Sequence, residues 1–359
     1  MRNSRDNAPV TVAQLAEFDE IIDTRSEAEY AEDHIPGAIN CPVLTNDERA
    51  RIGTLYKQVS AFDAKKAGAA LVSRNIAHHL ETHFAQRPRN WRPLVYCWRG
   101  GGRSGAMTHV LQAIGWRAAR LDGGYKTYRR AVIDDLEALP RRHRWCVVCG
   151  LTGSGKSRLL RALAARNAQV LDLEALAAHR GSVLGNLPDE PQPSQKMFES
   201  LIWSALHNFD PARPVFVEAE SKKIGNLRVP QALIDVMWQS ACIRLSAPVE
   251  LRVDMLIDEY QHFVQDAGAL GTQLDCLSGH YGHEQIAQWK KAAAAGEWRV
   301  LVADLLEKHY DPAYTRSTLK HYPQLDNRPP LVVTAATDAE FARAAAQCIA
   351  ETPSRSHAR

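Results

Sequence analysis

The stretch Gly150-Leu151-Thr152-Gly153-Ser154-Gly155-Lys156-Ser157 constrains this chain more than any other. It fits the pattern G-x-x-x-x-G-K-[ST] in full, and its flanks suit it. The apolar run Trp145-Cys146-Val147-Val148-Cys149 leads in, and a helix-forming run leads out. Three glycines let successive backbone N–H groups turn inward around phosphate oxygens. Lys156 then neutralises the outer phosphate, and Ser157 offers its hydroxyl to Mg²⁺. Such a chain must deliver strand, tight loop and helix in that order, which implies a parallel sheet covered by helices. The diphosphate- or nucleotide-binding set is therefore Gly150, Gly153, Ser154, Gly155, Lys156 and Ser157. An assisting carboxylate of the Walker-B kind should end a neighbouring apolar strand. Val215-Phe216-Val217-Glu218 supplies Glu218; Glu220 is a second candidate and Asp172, after Val170-Leu171, a third. Each reads equally well as a solvated strand-end acid.

A second anion-cradling loop stands upstream, Tyr96-Cys97-Trp98-Arg99-Gly100-Gly101-Gly102-Arg103-Ser104-Gly105. A catalytic cysteine acts as the thiolate, so it needs positive surroundings. The three glycines allow a nest of inward N–H groups, a helix starting near Ser104 adds its positive end, and Arg99 and Arg103 add full charges. The candidate catalytic residue is Cys97, in a cradle of Arg99, Gly100, Gly101, Gly102, Arg103 and Ser104. The cradle that stabilises a thiolate also suits an incoming oxyanion.

This region resembles the rhodanese (sulfurtransferase) domain. Asp23-Thr24-Arg25, His34-Ile35-Pro36-Gly37-Ala38-Ile39-Asn40 and Leu121-Asp122-Gly123-Gly124-Tyr125 match motifs of that family, besides the loop itself. The resemblance implies that Cys97 carries sulfur or selenium as a persulfide or selenopersulfide. The C-x5-R spacing from Cys97 to Arg103 is longer than in most sulfurtransferases and also suits cysteine phosphatases of the same fold, so a phosphoryl substrate stays open on spacing alone.

At 359 residues the chain has room for two cores. Short apolar strands alternate with helical stretches at 20–23, 26–32, 93–96, 105–114 and 117–121, and again at 145–149, 156–166, 169–172, 214–217 and 243–245. From 249 to 310 the pattern is mostly helical, and a last strand and helix are expected at 331–333 and 338–351. The expected organisation is a rhodanese-like parallel-sheet domain over 10–135, a linker at 136–145 with a basic run, and a P-loop NTPase-like α/β domain over 146–350 whose C-terminal part is mostly helical.

Seven scattered cysteines fit a reducing compartment. The polar N-terminal stretch 1–10 lacks the apolar core of a signal peptide, and no apolar run is long enough to span a bilayer; a cytoplasmic location is expected. Cys146 and Cys149 have C-x-x-C spacing on a strand, where their side chains face opposite ways, so no metal or redox role is expected. His78-His79 with His83, and Cys276 with His280 and His283, each lack a fourth ligand, and no metal site is expected there.

Net charge is only +3, so a nucleic-acid partner must rest on local clusters. Arg117, Arg120, Lys126, Arg129, Arg130, Arg141, Arg142 and Arg144 concentrate near the junction, with Trp91, Trp98, Tyr125, Tyr128 and Trp145 among them. Arginines with exposed aromatics suit looped RNA. A solvated face over two aromatic cores reads the same.

A rhodanese domain followed by a phosphate loop resembles the bacterial tRNA 2-selenouridine synthases. Later motifs extend the likeness: His179-Arg180-Gly181-Ser182, Gln192-Pro193-Ser194-Gln195-Lys196-Met197-Phe198-Glu199, and Glu218-Ala219-Glu220-Ser221-Lys222-Lys223-Ile224-Gly225. The resemblance implies a transferase acting on the wobble uridine of tRNA. It would replace the sulfur of 2-thiouridine with selenium from selenophosphate, through an S-geranyl intermediate made from geranyl diphosphate. It implies no tightly bound cofactor beyond Mg²⁺ at the loop, and an enzyme supplying selenophosphate as a partner. Two other classes stay open on the residues: an ATP-dependent RNA-thiolating or kinase-type enzyme with a rhodanese sulfur donor, and a cysteine phosphatase with a nucleotide-binding module.

Overall fold

The computed structural model describes residues 10–322, 325 and 329–352. The N-terminal stretch read above lies outside them, apart from Val10. The chain divides into two compact units between Asp135 and Leu136, with Glu199–Leu201 grouped with the first.

The first unit carries β1 (Glu20–Asp23), α1 (Glu27–Glu32), β2 (Ile39–Asn40), α2 (Asn46–Gln58), α3 (Ala61–His79), β3 (Pro93–Tyr96), α4 (Gly102–Ile114), β4 (Ala119–Arg120) and most of α5 (Gly124–Ala138). Its four strands run parallel in the order β2-β1-β3-β4. Central β3 is buried at every position, as a strand covered on both faces must be. Ile22, Val95, Met107, Leu111, Phe84 and Trp91 meet in one core. Ser26 caps α1 reciprocally with Glu29, which fixes where the chain leaves β1. The expected strand over 117–121 is only two residues long, with Leu121 bridging to Val10.

The second unit carries β5 (Arg144–Cys149), α6 (Lys156–Ala164), β6 (Gln169–Leu171), α7 (Leu173–Leu176), α8 (Gln195–Asn208), β7 (Pro214–Glu218), the hairpin β8 (Lys223–Ile224) and β9 (Leu227–Arg228), α9 (Gln231–Trp238) and β10 (Ala241–Ser246). Helices α10 (Val249–Glu259), α11 (Gln261–Gln265), α12 (Ala267–Asp275), α13 (Ser278–Ala294), α14 (Trp298–Leu305) and α15 (Asp311–His321) follow. Strand β11 (Leu331–Val332) and helix α16 (Asp338–Glu351) close it. The sheet is parallel throughout, in the order β11-β10-β5-β7-β6. The strand entering the phosphate loop is thus central, and α6 and α16 pack with it around Leu159, Leu163, Phe216 and Phe341. In such a sheet ligands bind beyond the carboxyl ends of the strands.

The segment 136–145, expected as a linker, begins at the boundary between the units and is ordered. It holds the end of α5, a 3-10 turn at Leu139–Arg142 and the start of β5. Leu136, Leu139, Pro140 and Trp145 are buried, so its apolar positions outweigh its basic run in deciding its state.

Candidate functional site

Each unit holds one site. In the first, β3 ends at Tyr96 and hands Cys97 to a loop capped by α4. Cys97 is buried at 3% exposure, its Sγ 3.2 Å from Ser104 Oγ on the first turn of the helix. Gly100 has φ +65°, a left-handed conformation open to glycine. The loop is clasped from below: Tyr125 N–H donates to the Cys97 carbonyl at 2.8 Å and Lys126 N–H to that of Trp98 at 3.0 Å. The clasp needs Gly124, where a Cβ would lie 2.2 Å from Cys97 O and 2.6 Å from Gly100 N.

Around the loop the charges are already matched in part. Arg103 pairs with Glu29 at 2.8 Å. Burial opposes the charged form of Glu29, but Arg103's hydrogen bond and charge outweigh it and hold the carboxyl below its ordinary range. Arg99 is exposed at the loop. The Asp23-Thr24-Arg25 motif proves to be a support rather than part of the cradle. Arg25, 1% exposed, donates to both oxygens of Asp23 at 2.6–3.1 Å and to the Asp33 carbonyl at 2.6 Å. It lies 3.9 Å from the Tyr125 ring centroid, and Tyr125 O–H donates to Asp33 at 2.7 Å. Burial works against the Arg25 charge, yet Asp23 more than offsets it and the guanidinium is held still more firmly protonated.

The second site follows β5. Gly153 and Gly155 take φ +76° and +88°, and both are hemmed in: a Cβ on Gly153 would meet Leu256 at 2.8 Å and one on Gly155 the Phe341 ring at 2.5 Å. Gly155 caps α6, which aims its N-terminus at the loop. Lys156 Nζ donates to Gly150 O at 3.0 Å, folding the ammonium back over the loop. Gly150 N–H donates to the Tyr314 hydroxyl oxygen at 2.7 Å. Arg252, 4% exposed, binds the Thr152 carbonyl at 2.9 Å while pairing with Asp311 through both terminal nitrogens.

Three glutamates, 174, 218 and 220, act on the lysine, and Asp172 stands close to them. Glu218 ends β7 in register with Val148, is buried, and accepts from Glu174 N–H at 2.9 Å through Oε1; its Oε2 has no partner among the described residues. Glu174 Oε2 accepts from Ser157 O–H at 3.1 Å. Asp172, the third acid read from the sequence, caps α7 by accepting from Ala175 N–H. Burial raises Glu218 far above the carboxylate range, helped by Asp172, Glu174 and Glu220. Burial and then Glu174 push Glu220 up to about 8, against the pull of Lys156. Lys156 is disfavoured by burial as a cation, but Tyr314 and the glutamates outweigh that and raise it. The cleft above the loop holds about 610 Å³ and is bordered by Lys156, Arg161, Glu174, Arg180 and Glu220. Glu174, Arg252 and Tyr314 carried no local signal that would have marked them in the sequence.

A family model described as the tRNA 2-selenouridine synthase AAA domain matches residues 143–276, and one for the rhodanese-like domain matches residues 8–131. A protein named tRNA 2-selenouridine synthase from Shewanella piezotolerans is 33% identical over 348 residues, covering 85% of this chain and 92% of that protein. The one from Shewanella loihica is 31% identical over 332 residues, covering 84% and 87%. The chain belongs to the tRNA 2-selenouridine synthase family. Over 244 residues it is 34% identical to the Nitrosomonas europaea member, a match that spans 67% of this chain and 63% of that protein's length.

Of the later segments that resembled tRNA 2-selenouridine synthases, those at 179–182 and 218–225 reach the phosphate cleft. His179, Arg180 and Gly181 border that cleft, and Gln192 braces the β8–β9 hairpin by bonding Ile224 O at 3.0 Å and Asn226 N–H at 2.8 Å. Of the two readings left open for the aromatics near the junction, the core reading holds for four of the five. Trp91, Tyr125, Tyr128 and Trp145 are at most 4% exposed and belong to the cores; Trp98, at 39%, alone of the five is open for stacking. Arg117, Arg120, Lys126, Arg130, Arg141 and Arg142 are exposed. Cys146 and Cys149 are both buried in the sheet, and His79 is bound to the Pro42 carbonyl at 2.9 Å. Among the described residues no group of three or more His, Cys, Asp or Glu side chains is placed to hold a metal ion, and no helix is long and apolar enough to cross a membrane.

Proposed function

We propose that this chain modifies tRNA, exchanging the sulfur of wobble 2-thiouridine for selenium from selenophosphate through an S-geranyl intermediate. One observation carries the reading: a chain of this family joins a thiol in an anion cradle to a loop shaped for diphosphate. The two anions of the reaction, selenophosphate and geranyl diphosphate, suit one site each.

Sulfur on C2 leaves poorly, and alkylation makes it a better leaving group. At the phosphate loop, the Gly150-to-Gly155 amides and Lys156 hold the diphosphate. The thiouridine sulfur attacks C1 of the geranyl chain, the C1–O bond breaks, and diphosphate departs with the electron pair into that positive cradle. At the other loop, the amides following Cys97 and the start of α4 hold the selenophosphate anion beside the thiol that serves selenium delivery. The selenium of selenophosphate bonds to C2, the geranyl thiolate leaves and takes up a proton, and water then attacks phosphorus so that the Se–P bond breaks and inorganic phosphate departs, leaving selenium on C2. Exposed Trp98 provides a face on which a displaced base can stack.

Ser157 Oγ, Glu174 and the unpartnered Oε2 of Glu218 are hard oxygen donors that would hold a divalent cation such as Mg²⁺. It would supply charge neutralisation for the leaving diphosphate.

Nucleoside mass spectrometry tests the division of labour. Lys156→Ala should lose geranylation yet still selenate tRNA that arrives geranylated, and Cys97→Ala should do the reverse. If both variants lose both steps, the assignment of one step to each loop is wrong. Cells lacking the protein should lack 2-selenouridine, and the wild-type chain should restore it. Release of ADP on adding tRNA would favour the kinase-type alternative instead.

A further inference from the structure

Beside the phosphate cleft lies a second cavity of opposite character. Thr152 of the loop, Leu256 on α10 and Tyr260 at its end border both. Beyond them the walls are Leu184, Ile257, Phe263, Leu270, Trp298 and Leu301 among other apolar residues of the helical region, and no charged side chain lines them. The core of α11 to α14 therefore closes around a space that faces the loop at one end. A cavity of this composition stays dry and favours hydrocarbon. Its volume is about 60 Å³, several times the roughly 10–15 Å³ that one water needs. That admits a slender chain of several carbons, while a much longer one must displace a wall.

The two neighbours suit the two ends of one molecule. A diphosphate belongs at Lys156, and the apolar cavity adjoins that cleft across Thr152, Leu256 and Tyr260. We infer that this cavity holds the hydrocarbon chain of a prenyl diphosphate, and that Ile257 and Leu301 limit the chain length accepted. The inference rests on the proposed reading of the phosphate loop as a diphosphate grip. It adds a role for the helical region that neither loop requires.

Isothermal titration of the full chain with inorganic, dimethylallyl, geranyl and farnesyl diphosphate tests it. Each methylene removed from water strengthens binding about fourfold, so geranyl diphosphate should bind at least about tenfold tighter than dimethylallyl diphosphate. Ile257→Phe should lower the ratio of geranyl to inorganic diphosphate affinity about tenfold or more. Leu301→Ala should shift preference towards farnesyl diphosphate, and it decides alone if Ile257→Phe does not fold. Equal affinity for the geranyl and dimethylallyl compounds, or an unchanged chain-length order in the variants, overturns the inference. Chain-length-dependent binding without geranylation of tRNA would leave the cavity standing and remove the proposed function. Geranylation with unchanged length order in the variants would do the opposite.

Discussion

The Ser157 hydroxyl donates to Glu174 Oε2 across 3.1 Å, at the first turn of the helix that follows the phosphate loop. Glu174 in turn gives its backbone N–H to Glu218. The hydroxyl of the phosphate loop is thereby tied into a buried carboxylate group that shares one ammonium, Lys156. Such a group tolerates an anionic ligand only if some of its negative charge is neutralised.

Removing one of those charges should be felt directly. A unit charge at about 8 Å, with an effective dielectric near 20, is worth about 2 kcal/mol. Glu174→Gln should therefore bind inorganic diphosphate at least about tenfold tighter without divalent cations and lose most of any gain that Mg²⁺ brings. Titration calorimetry with and without Mg²⁺ reads both effects, and an unchanged affinity in both conditions would show that Glu174 does not face the ligand.

Glu220 makes the cleft pH-sensitive. Its carboxyl is pushed up to about 8, so it is largely protonated at neutral pH and gains its charge as pH rises through 8. The added negative charge repels diphosphate, so metal-free affinity should fall across that interval in the wild type. In Glu220→Gln this component should vanish, and comparing the two proteins cancels the titration of the ligand. The sign for folding is the same. A carboxyl whose folded pKa lies above its unfolded value contributes stability below the unfolded pKa, and that contribution is lost as pH rises towards 8.

Arg25 and Asp23 form a buried pair, each at most 1% exposed. Breaking such a pair strands a charge and costs about 3–5 kcal/mol. Arg25→Ala should lower the thermal midpoint of the first unit by about 10 °C or more, followed by circular dichroism. Adding Asp23→Asn should recover part of the loss, because no uncompensated carboxylate then remains buried.

Gly124→Ala should damage the cysteine loop without touching its sequence. Its φ of +61° is strained for alanine, and the new methyl would strike the Cys97 carbonyl and the Gly100 amide. Alkylation of Cys97 by iodoacetamide should change by at least about tenfold relative to the other thiols, while unfolding of the second unit stays as in the wild type.

Both loops were legible because their chemistry is local. Glycine, charge and helix start lie within ten residues, and strands such as 93–96 and 214–218 are short apolar runs with plain ends. What escaped was long in range. The partner of Arg103 is 74 residues upstream, and Arg252 reaches back 100 residues to Thr152. No spacing marks such a pair. The aromatics near the junction were equally opaque, since tyrosine and tryptophan suit a core as well as a wet surface, and only the packing of α5 and β5 decides between them. The order of the segment 136–145 was opaque for a related reason: its basic run is plain in the sequence, and the buried Leu139 and Trp145 that hold it in place are not.

Gly155 touches Phe341, on the last described helix, nearly two hundred positions later. The glycine pattern leaves the ribosome well before the aromatic wall that shapes it. A nascent chain stalled ahead of α16 would display every signature residue and still grip phosphate poorly, so competence at this loop waits for α16. Comparing stalled with released chains for diphosphate capture would expose that delay.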